Sequence, residues 1–471
     1  MKRPLIHFTL LVMSASLLAG CTVGPNYHKP AVPVPNAYHG PSDNPRDEAQ
    51  AQAASSIADL PWWQVFQDSV LQDLIRSTLK QNYDLQTATE RITQARAQLM
   101  VTRSNQYPQV NANGSAVDER SFQGFPFATR YGIYAADVTF QLDLFGQLRR
   151  ATESSRAQLL STEYAQKTEI LTLVSDVASA YFALLSLDLQ LQITRDTIKT
   201  QEDAVKLTQD RLEHGVATKL DVLQARQVLD TANAQVPELQ RQIGVEEDAI
   251  SILLGDYPHE VTRGLRLVDQ QFPPEVPPGL PSSLLARRPD ISQAEQNLVS
   301  ANAQVGVAKA AFFPQISLTG TGGGAVGRSS VFSSFVNSNI GTWGGTASLT
   351  QPIFEAGRLR GSLRSAQSQE RQSLIAYKQA IQFAFRDVSD ALIAYQKYYE
   401  VRKAQEDTVQ DLSESVSTSL KRYTGGIATY LEVLDNQRSL FSAQLTLAQD
   451  RGNEFQSLVQ LYKALGGGWQ Q

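Results

Sequence analysis

The sequence predicts a mixed, mainly α fold in which one structural unit is written twice. Three observations predict it: an internal repeat at a constant offset, a seven-residue apolar spacing along Pro-free stretches, and a pair of short alternating segments in each half.

The repeat is clearest where Arg211, Gly215, Ala217, Thr218, Leu220 and Val222 recur as Arg422, Gly426, Ala428, Thr429, Leu431 and Val433, an offset of 211. The same offset pairs Gly146-Gln-Leu-Arg149 with Gly357-Arg-Leu-Arg360, and Leu254-Gly255 with Leu465-Gly466. Earlier in each half, Tyr107-Pro-Gln-Val110 matches Phe313-Pro-Gln-Ile316 at an offset of 206. The first unit spans 62–272 and the second 282–465, joined by a linker over 273–281 that holds Pro273, Pro274, Pro277, Pro278 and Pro281. Residues 466–471 form a tail.

Each half opens with helix, from Leu71 to about Asn105 and from Pro289 to Ala311, where Pro289 sits at the first turn. Then come strand–turn–strand segments over about 108–145 and 313–353. In them Val110, Ala112, Gly114 and Ala116 interleave with Asn111, Asn113 and Ser115, and the turns fall near Phe122–Thr129 and Gly327–Asn339. After Gly146 and Gly357 long helices begin. Ile170, Val177, Leu184, Leu191, Ile198, Val205 and Leu212 fall at strict sevens, as a coiled-coil seam requires. Their counterparts keep the spacing with one break, Arg402, and the positions between fade to Thr194, Gln201 and Thr208. An unbroken helix from 146 to 214 would run roughly 100 Å, a rod or tube; several shorter helices are the alternative.

At the far end of each helix, turns at 214–218 and 424–429 lead into return helices. Gly215 and Gly426 suit the left-handed residue that closes a helix. Thr218 with Asp221, and Thr429 with Glu432, suit a capping box that opens the next.

Composition narrows the chemistry. Of 471 residues, 42 are basic and 47 acidic, so no basic field favours nucleic acid. One Cys excludes a disulfide framework, and five scattered His offer no metal-ligand spacing. No nucleophile–base pair or phosphate loop is identifiable, so no catalytic residue, no metal and no cofactor are expected.

Residues 1–20 read as a cleaved signal, with Lys2 and Arg3 before a short apolar run that ends in Leu18-Ala-Gly-Cys21. This end resembles a bacterial lipobox, so Cys21 is expected to carry a diacylglycerol and an N-acyl (palmitate-type) chain, enough for stable anchoring. Residues 21–61 form a Pro-rich tether. Thr22, in place of Asp, resembles the outer-membrane address.

The alternating segments suit strands with one face to lipid and one to water. Four strands cannot close a barrel, and open edges are not tolerated in hydrocarbon. Copies must therefore pool their strands: two would give eight and a filled interior, three would give twelve and a lumen. A soluble β-domain on a helical stalk is the alternative.

Taken together, these residues resemble the TolC-like outer membrane factors, in particular the NodT/OprM-type lipoproteins of tripartite efflux pumps. The likeness covers Cys21-Thr-Val-Gly-Pro-Asn-Tyr27, Trp62-Trp63, Leu142-Asp-Leu-Phe-Gly146, Arg287-Arg-Pro-Asp-Ile291, Arg422-Tyr423 and Ala464-Leu-Gly-Gly-Gly-Trp469. It implies a homotrimer. Twelve strands would line an outer-membrane pore continuous with a periplasmic α-helical coiled-coil barrel, with an α/β equatorial belt around its middle. The tip, at Gly215, Val216, Ala217, Thr218, Gly425, Gly426, Ile427, Ala428 and Thr429, would dock a periplasmic adaptor (membrane fusion) protein bound to an inner-membrane pump of the resistance-nodulation-division type.

Function would then be passive conduction of drugs or other toxic small molecules from the periplasm to the exterior, with the tip closed when idle. Metal-ion efflux, type I protein secretion and a non-pore periplasmic adaptor are the alternatives. By the resemblance, Leu431 matches an apolar ring, Asp435 an acidic ring, and Tyr423 a closed-state contact whose basic partner position is Ala428 here. Glu432 also belongs to the gate region, but its counterpart Asp221 shares its capping position, so capping is the more economical role. Asp435 has Gln224 as counterpart, so capping does not explain its charge; it is the favoured gate residue. Trp62 and Trp63 read as packing of the N-terminal segment.

Overall fold

A computed structural model describes residues 22–35, 38–39, 57–120, 128–271, 283–329 and 340–467. Cys21, the signal, residues 36–37 and 40–56 of the tether, the Pro-rich linker, Trp469 and the outer ends of both strand turns lie outside the described residues. The helices are α1 (Trp62–Val65), α2 (Ser69–Gln81), α3 (Tyr83–Ser104), α4 (Gln147–Glu213), α5 (Lys219–Leu254), α6 (Leu284–Arg287), α7 (Pro289–Ala310), α8 (Arg358–Thr424) and α9 (Tyr430–Ala464). Strands β1 (Gln109–Arg120) and β2 (Ala128–Leu142) precede α4, and β3 (Gln315–Ser329) and β4 (Ile340–Thr350) precede α8. The chain divides into two compact units, one of residues 1–31, 91–163 and 293–378, the other of 32–90, 164–292 and 379–471.

The first unit holds an antiparallel sheet in the order β1-β2-β3-β4. Its register sorts the residue types by face. Gly114 lies opposite Tyr134, which lies opposite Gly324, itself opposite Gly341. Because paired residues in a sheet point to the same side, one face collects Val110, Ala112, Tyr134, Val138, Phe140, Leu318, Trp343 and Leu349. The other collects Asn111, Asn113, Asp137, Thr139, Ser317, Thr321, Thr346 and Ser348. β2 starts at Ala128 and β3 runs to Ser329, so both strands reach into the segments read from sequence as turns.

The strands give way to helix at a built junction. Asp143 accepts from the backbone N–H groups of Leu148 (3.1 Å) and Arg149 (2.9 Å), capping α4 as its Oδ2 also pairs with the Arg149 guanidinium. Gly146 takes φ +80°, and a Cβ there would sit 2.9 Å from the Thr22 side chain. Thr22–Lys29 is strapped onto this unit. Val23 N–H donates to the Phe145 carbonyl (3.0 Å), Arg150 donates to Asn26 Oδ1 (2.6 Å), and Lys29 pairs with Glu295 (2.7 Å).

In the second unit, helix does not run unbroken from 71 to 105 as the sequence suggests. Asn82 ends α2 and caps α3, its Oδ1 accepting from Asp84 and Leu85 N–H at 2.8 and 3.0 Å. Its Nδ2 donates to the Leu253 carbonyl (3.0 Å), so the break is the seat for the end of α5. Asn competes with helix by bonding nearby backbone, and a buried partner decides the outcome. Nearby, Asp68 caps α2 and also accepts from Tyr181 Oη (2.9 Å), Leu265 N–H (2.9 Å) and Gln270 Nε2 (2.7 Å). One buried carboxylate thus ties α2, α4 and the irregular chain after α5 together. Trp62 is buried and Trp63 partly exposed, edge-on to each other at 5.4 Å.

Helices α4 and α8 each run 67 residues without interruption, so the reading of several shorter helices falls away. They start and end 211 positions apart, the sequence offset. Along α4, Val174, Val177, Tyr181 and Leu184 are fully buried. Further on, Thr194, Gln201 and Thr208 are buried as well, the threonines returning their hydroxyls to the Gln190 and Ala204 carbonyls. A small polar group satisfied by its own helix can occupy an interior seam that Leu would otherwise fill. The break in the second seam, Arg402, pairs with buried Glu454 and with Glu406, which Arg451 holds in turn.

Candidate functional site

Two parts of the chain can make a passage, and each is built by the local sequence. The first is the four-stranded sheet. Its apolar face carries side chains that are largely solvent-exposed within one chain: Trp343 is 92% exposed, with Val110 and Leu349 at 68% and 66%. Contiguous apolar exposure on this scale marks a surface that meets lipid or protein. The opposite face carries hydroxyls, amides and Asp137 among small residues, Ile133 and Ile340, with the Ser317–Ser348 hydrogen bond (2.6 Å) and Asn113 donating to Asp137. Strands of 11 to 15 residues with this alternation match the span and patterning of transmembrane barrel strands. Within the chain β1 and β4 are the edges of the sheet.

The second part is the pair of helical turns in the other unit. Gly215 (φ +74°) and Gly426 (φ +73°) end α4 and α8 in the left-handed conformation, with open space around both. Val216 N–H returns to the Arg211 carbonyl and Ile427 N–H to the Arg422 carbonyl, each at 2.9 Å, which satisfies the last helical carbonyls. The two turns then differ. In the first, Thr218 and Asp221 form the full capping box, Asp221 N–H donating to Thr218 Oγ1 (3.2 Å) and Thr218 N–H to Asp221 Oδ2 (2.7 Å). In the second, the expected box is absent: Thr429 makes no side-chain cap. Glu432 instead pairs with Arg422 at 3.2 Å, bridging α8 to α9 across the turn. Glu is one methylene longer than Asp, and Arg422 lies within its reach, so the carboxylate closes on the guanidinium instead of its own cap. The capping role assigned to Glu432 from sequence is therefore corrected.

The two hairpins pack through Ala225, Val228, Tyr423, Tyr430, Val433 and Leu434. Tyr423 and Tyr430 meet at 5.2 Å in a T-shape, and the Arg211 guanidinium lies 4.7 Å over the Tyr423 ring. Burial raises both phenols, Tyr430 to about 12. A basic group of the first hairpin thus stands against Tyr423, where Ala428 offers none. Sequence reading passed over Arg211, although it is the repeat counterpart of Arg422. Tyr423 is buried, whereas Leu431, Glu432 and Asp435 are exposed on one side of α9. Val216, Ile427 and Thr429 are exposed at the turns, and Ala217 and Ala428 are half-buried. Among the described residues no His, Cys, Asp or Glu groups converge to hold a metal ion.

The family model for outer membrane efflux proteins matches residues 74–256 and 280–467, nearly all of both repeats. The chain belongs to the outer membrane efflux protein family. It is 38% identical over 467 residues to the probable efflux pump outer membrane protein TtgC of Pseudomonas putida, covering 98% of this chain and 95% of that one. It is 34% identical over 454 residues to the cation efflux system protein CusC of Escherichia coli K12, covering 96% and 98%. Among solved structures, a CusC chain superposes with a TM-score of 0.85 at 33% identity, over 95% of this chain and all of that one. The open state of the Neisseria gonorrhoeae MtrE channel superposes with 0.83 at 30% identity, over 95% and 99%. The efflux duct and outer-membrane residence expected from the sequence stand with the family.

Proposed function

We propose that three copies of this efflux protein pool their sheets into a twelve-stranded barrel and their helices into a tunnel, through which small toxic molecules leave passively. The observation that carries this reading is the sheet itself: four contiguous strands, apolar on one face and polar on the other, with an edge at β1 and another at β4. Such edges need partners in a membrane, and three copies leave a lumen where two would fill it. The repeat supplies the register of the junction. Strands β1 and β2 pair in the same register as β3 and β4 once the offsets of 206 and 211 are applied. Applied to the β2–β3 pairing of Thr139 with Thr319, they predict Thr350 of one copy opposite Asn113 of the next.

An acylated Cys21 would enter beside the strand–helix junction, because Thr22 already packs on Gly146. The tip residues Gly215–Thr218 and Gly425–Thr429 would receive the adaptor, itself bound to a resistance-nodulation-division pump that supplies the energy. Asp435 and Leu431 would form the closing rings, with Tyr423 fixing the hairpin that carries them. The likeness to a cation efflux protein supports a second cargo, metal ions. Planar-bilayer recording tests the duct. Discrete conducting steps from purified protein are expected, and silent membranes containing inserted protein would refute a pore.

A further inference from the structure

We propose that Asp137 makes the strand-lined part of the lumen a cation-favouring filter, so that neutral and cationic solutes pass it more readily than anionic ones. The inference rests on the three-copy duct proposed above and adds a selectivity element that is separate from the tip.

The sheet register carries it. Asp137 lies opposite Asn111 on β1 and Thr321 on β3, on the polar face. Over the rows from Gln109 to Ser115, that face presents Gln, Asn, Ser, Thr, Ala, Ile and Gly besides Asp137. Asp137 is the one charged residue in those rows. No Lys or Arg occurs in those rows, and the first basic residue after β2, Arg149, is engaged by Asp143. Asn113 donates its Nδ2 hydrogen to Asp137 Oδ2, which fixes the carboxylate against the wall and leaves its charge uncompensated. The neighbouring position on the same face, opposite Ala135, is Gly323, so no bulky side chain covers it.

Three such carboxylates around one water-filled bore add in potential, attract cations and repel anions, the mechanism of charged rings in channels. Screening extends about 8 Å at physiological ionic strength and about 3 Å at 1 M salt, so the preference must fade as salt rises.

The test is the reversal potential of single channels in asymmetric KCl, read as the ratio of potassium to chloride permeability. Asp435→Asn is the background, so that the proposed gate charge does not set the ratio. Adding Asp137→Asn is expected to lower the ratio about twofold or more at low salt and little at high salt. Asp137→Lys is expected to move it to the anion side. Should an Asp137 variant not insert, Thr321→Lys, in the same row, is expected to produce the same anion shift. Conducting channels whose ratio is unchanged by these substitutions would overturn the proposal. Absence of conductance in the unmodified protein would instead remove the duct on which it rests.

Discussion

Arg422 and Glu432 form an ion pair at 3.2 Å across the second turn, while their repeat counterparts Arg211 and Asp221 do not pair. Arg211 lies over Tyr423, and Asp221 closes a capping box with Thr218. The two turns thus close by different means. The first is local and backbone-directed; the second is an exposed charge pair, screened by salt.

The difference gives unequal sensitivities. Asp221→Ala is expected to destabilise the first hairpin by about 1 kcal/mol, with little dependence on salt. Glu432→Gln is expected to cost at most about 1 kcal/mol, and the loss should vanish at high salt. Amide hydrogen exchange at the two turns, at low and high ionic strength, reads both.

Asp435 is exposed on α9, and its counterpart Gln224 carries no charge. Three carboxylates on one narrow axis would repel one another and bind cations. Asp435→Ala is expected to give a leakier idle channel whose current is less reduced by divalent cations. Unchanged single-channel currents would remove Asp435 from the gate.

The Asp68 hub predicts a large local effect. The side chain is 2% exposed and accepts from two helix-capping N–H groups, Tyr181, Leu265 and Gln270. Asp68→Ala strands several buried donors and is expected to cost about 3 kcal/mol or more. Tyr181→Phe, which removes one of these bonds, is expected to cost about 1–2 kcal/mol. Thermal melts of the detergent-extracted protein measure both, and limited proteolysis after residue 255 should accelerate in the same order.

Asp450 predicts a pH dependence. It is buried on α9 with Oδ2 lacking a partner among the described residues, and burial pushes its carboxyl above the ordinary range. The folded group therefore keeps its proton where the unfolded one has lost it. That contribution to stability grows as pH falls from the raised value towards the ordinary one, and is least favourable above both. Asp450→Asn is expected to be more stable than the unmodified protein at neutral pH, with the gap closing on acidification. Denaturation midpoints across pH 4–8 follow it; a gap that widens towards acid contradicts the assignment.

Much of this fold was legible because its signals are periodic. The offset of 211 locates the ends of α4 and α8, and alternation around Val110–Ala116 locates β1. Gly215 and Gly426 announce their left-handed turns because few other residues adopt that conformation. What the sequence concealed depends on contacts between distant residues. Asn82 breaks a helix because Leu253 arrives to receive its amide. Glu432 leaves its cap because Arg422 lies across the turn. Arg211 reads as an ordinary helix-end base until α8 brings Tyr423 beneath it. Thr194 and Thr208 read as a fading of the seam because their polarity is visible in sequence, whereas their return bonds to their own helix are not.

The most direct test of the account is a covalent bridge between the sheet edges of neighbouring copies. Cysteines replacing Thr350 on β4 and Asn113 on β1, in a chain whose own edges are separated by β2 and β3, can meet only between molecules, at the separation a disulfide needs. Oxidation in native outer membranes is predicted to give a ladder that stops at three chains, with circular trimers still conducting. Monomers alone, for this pair and for Thr350 combined with Asn111 or Ser115, would contradict a shared barrel.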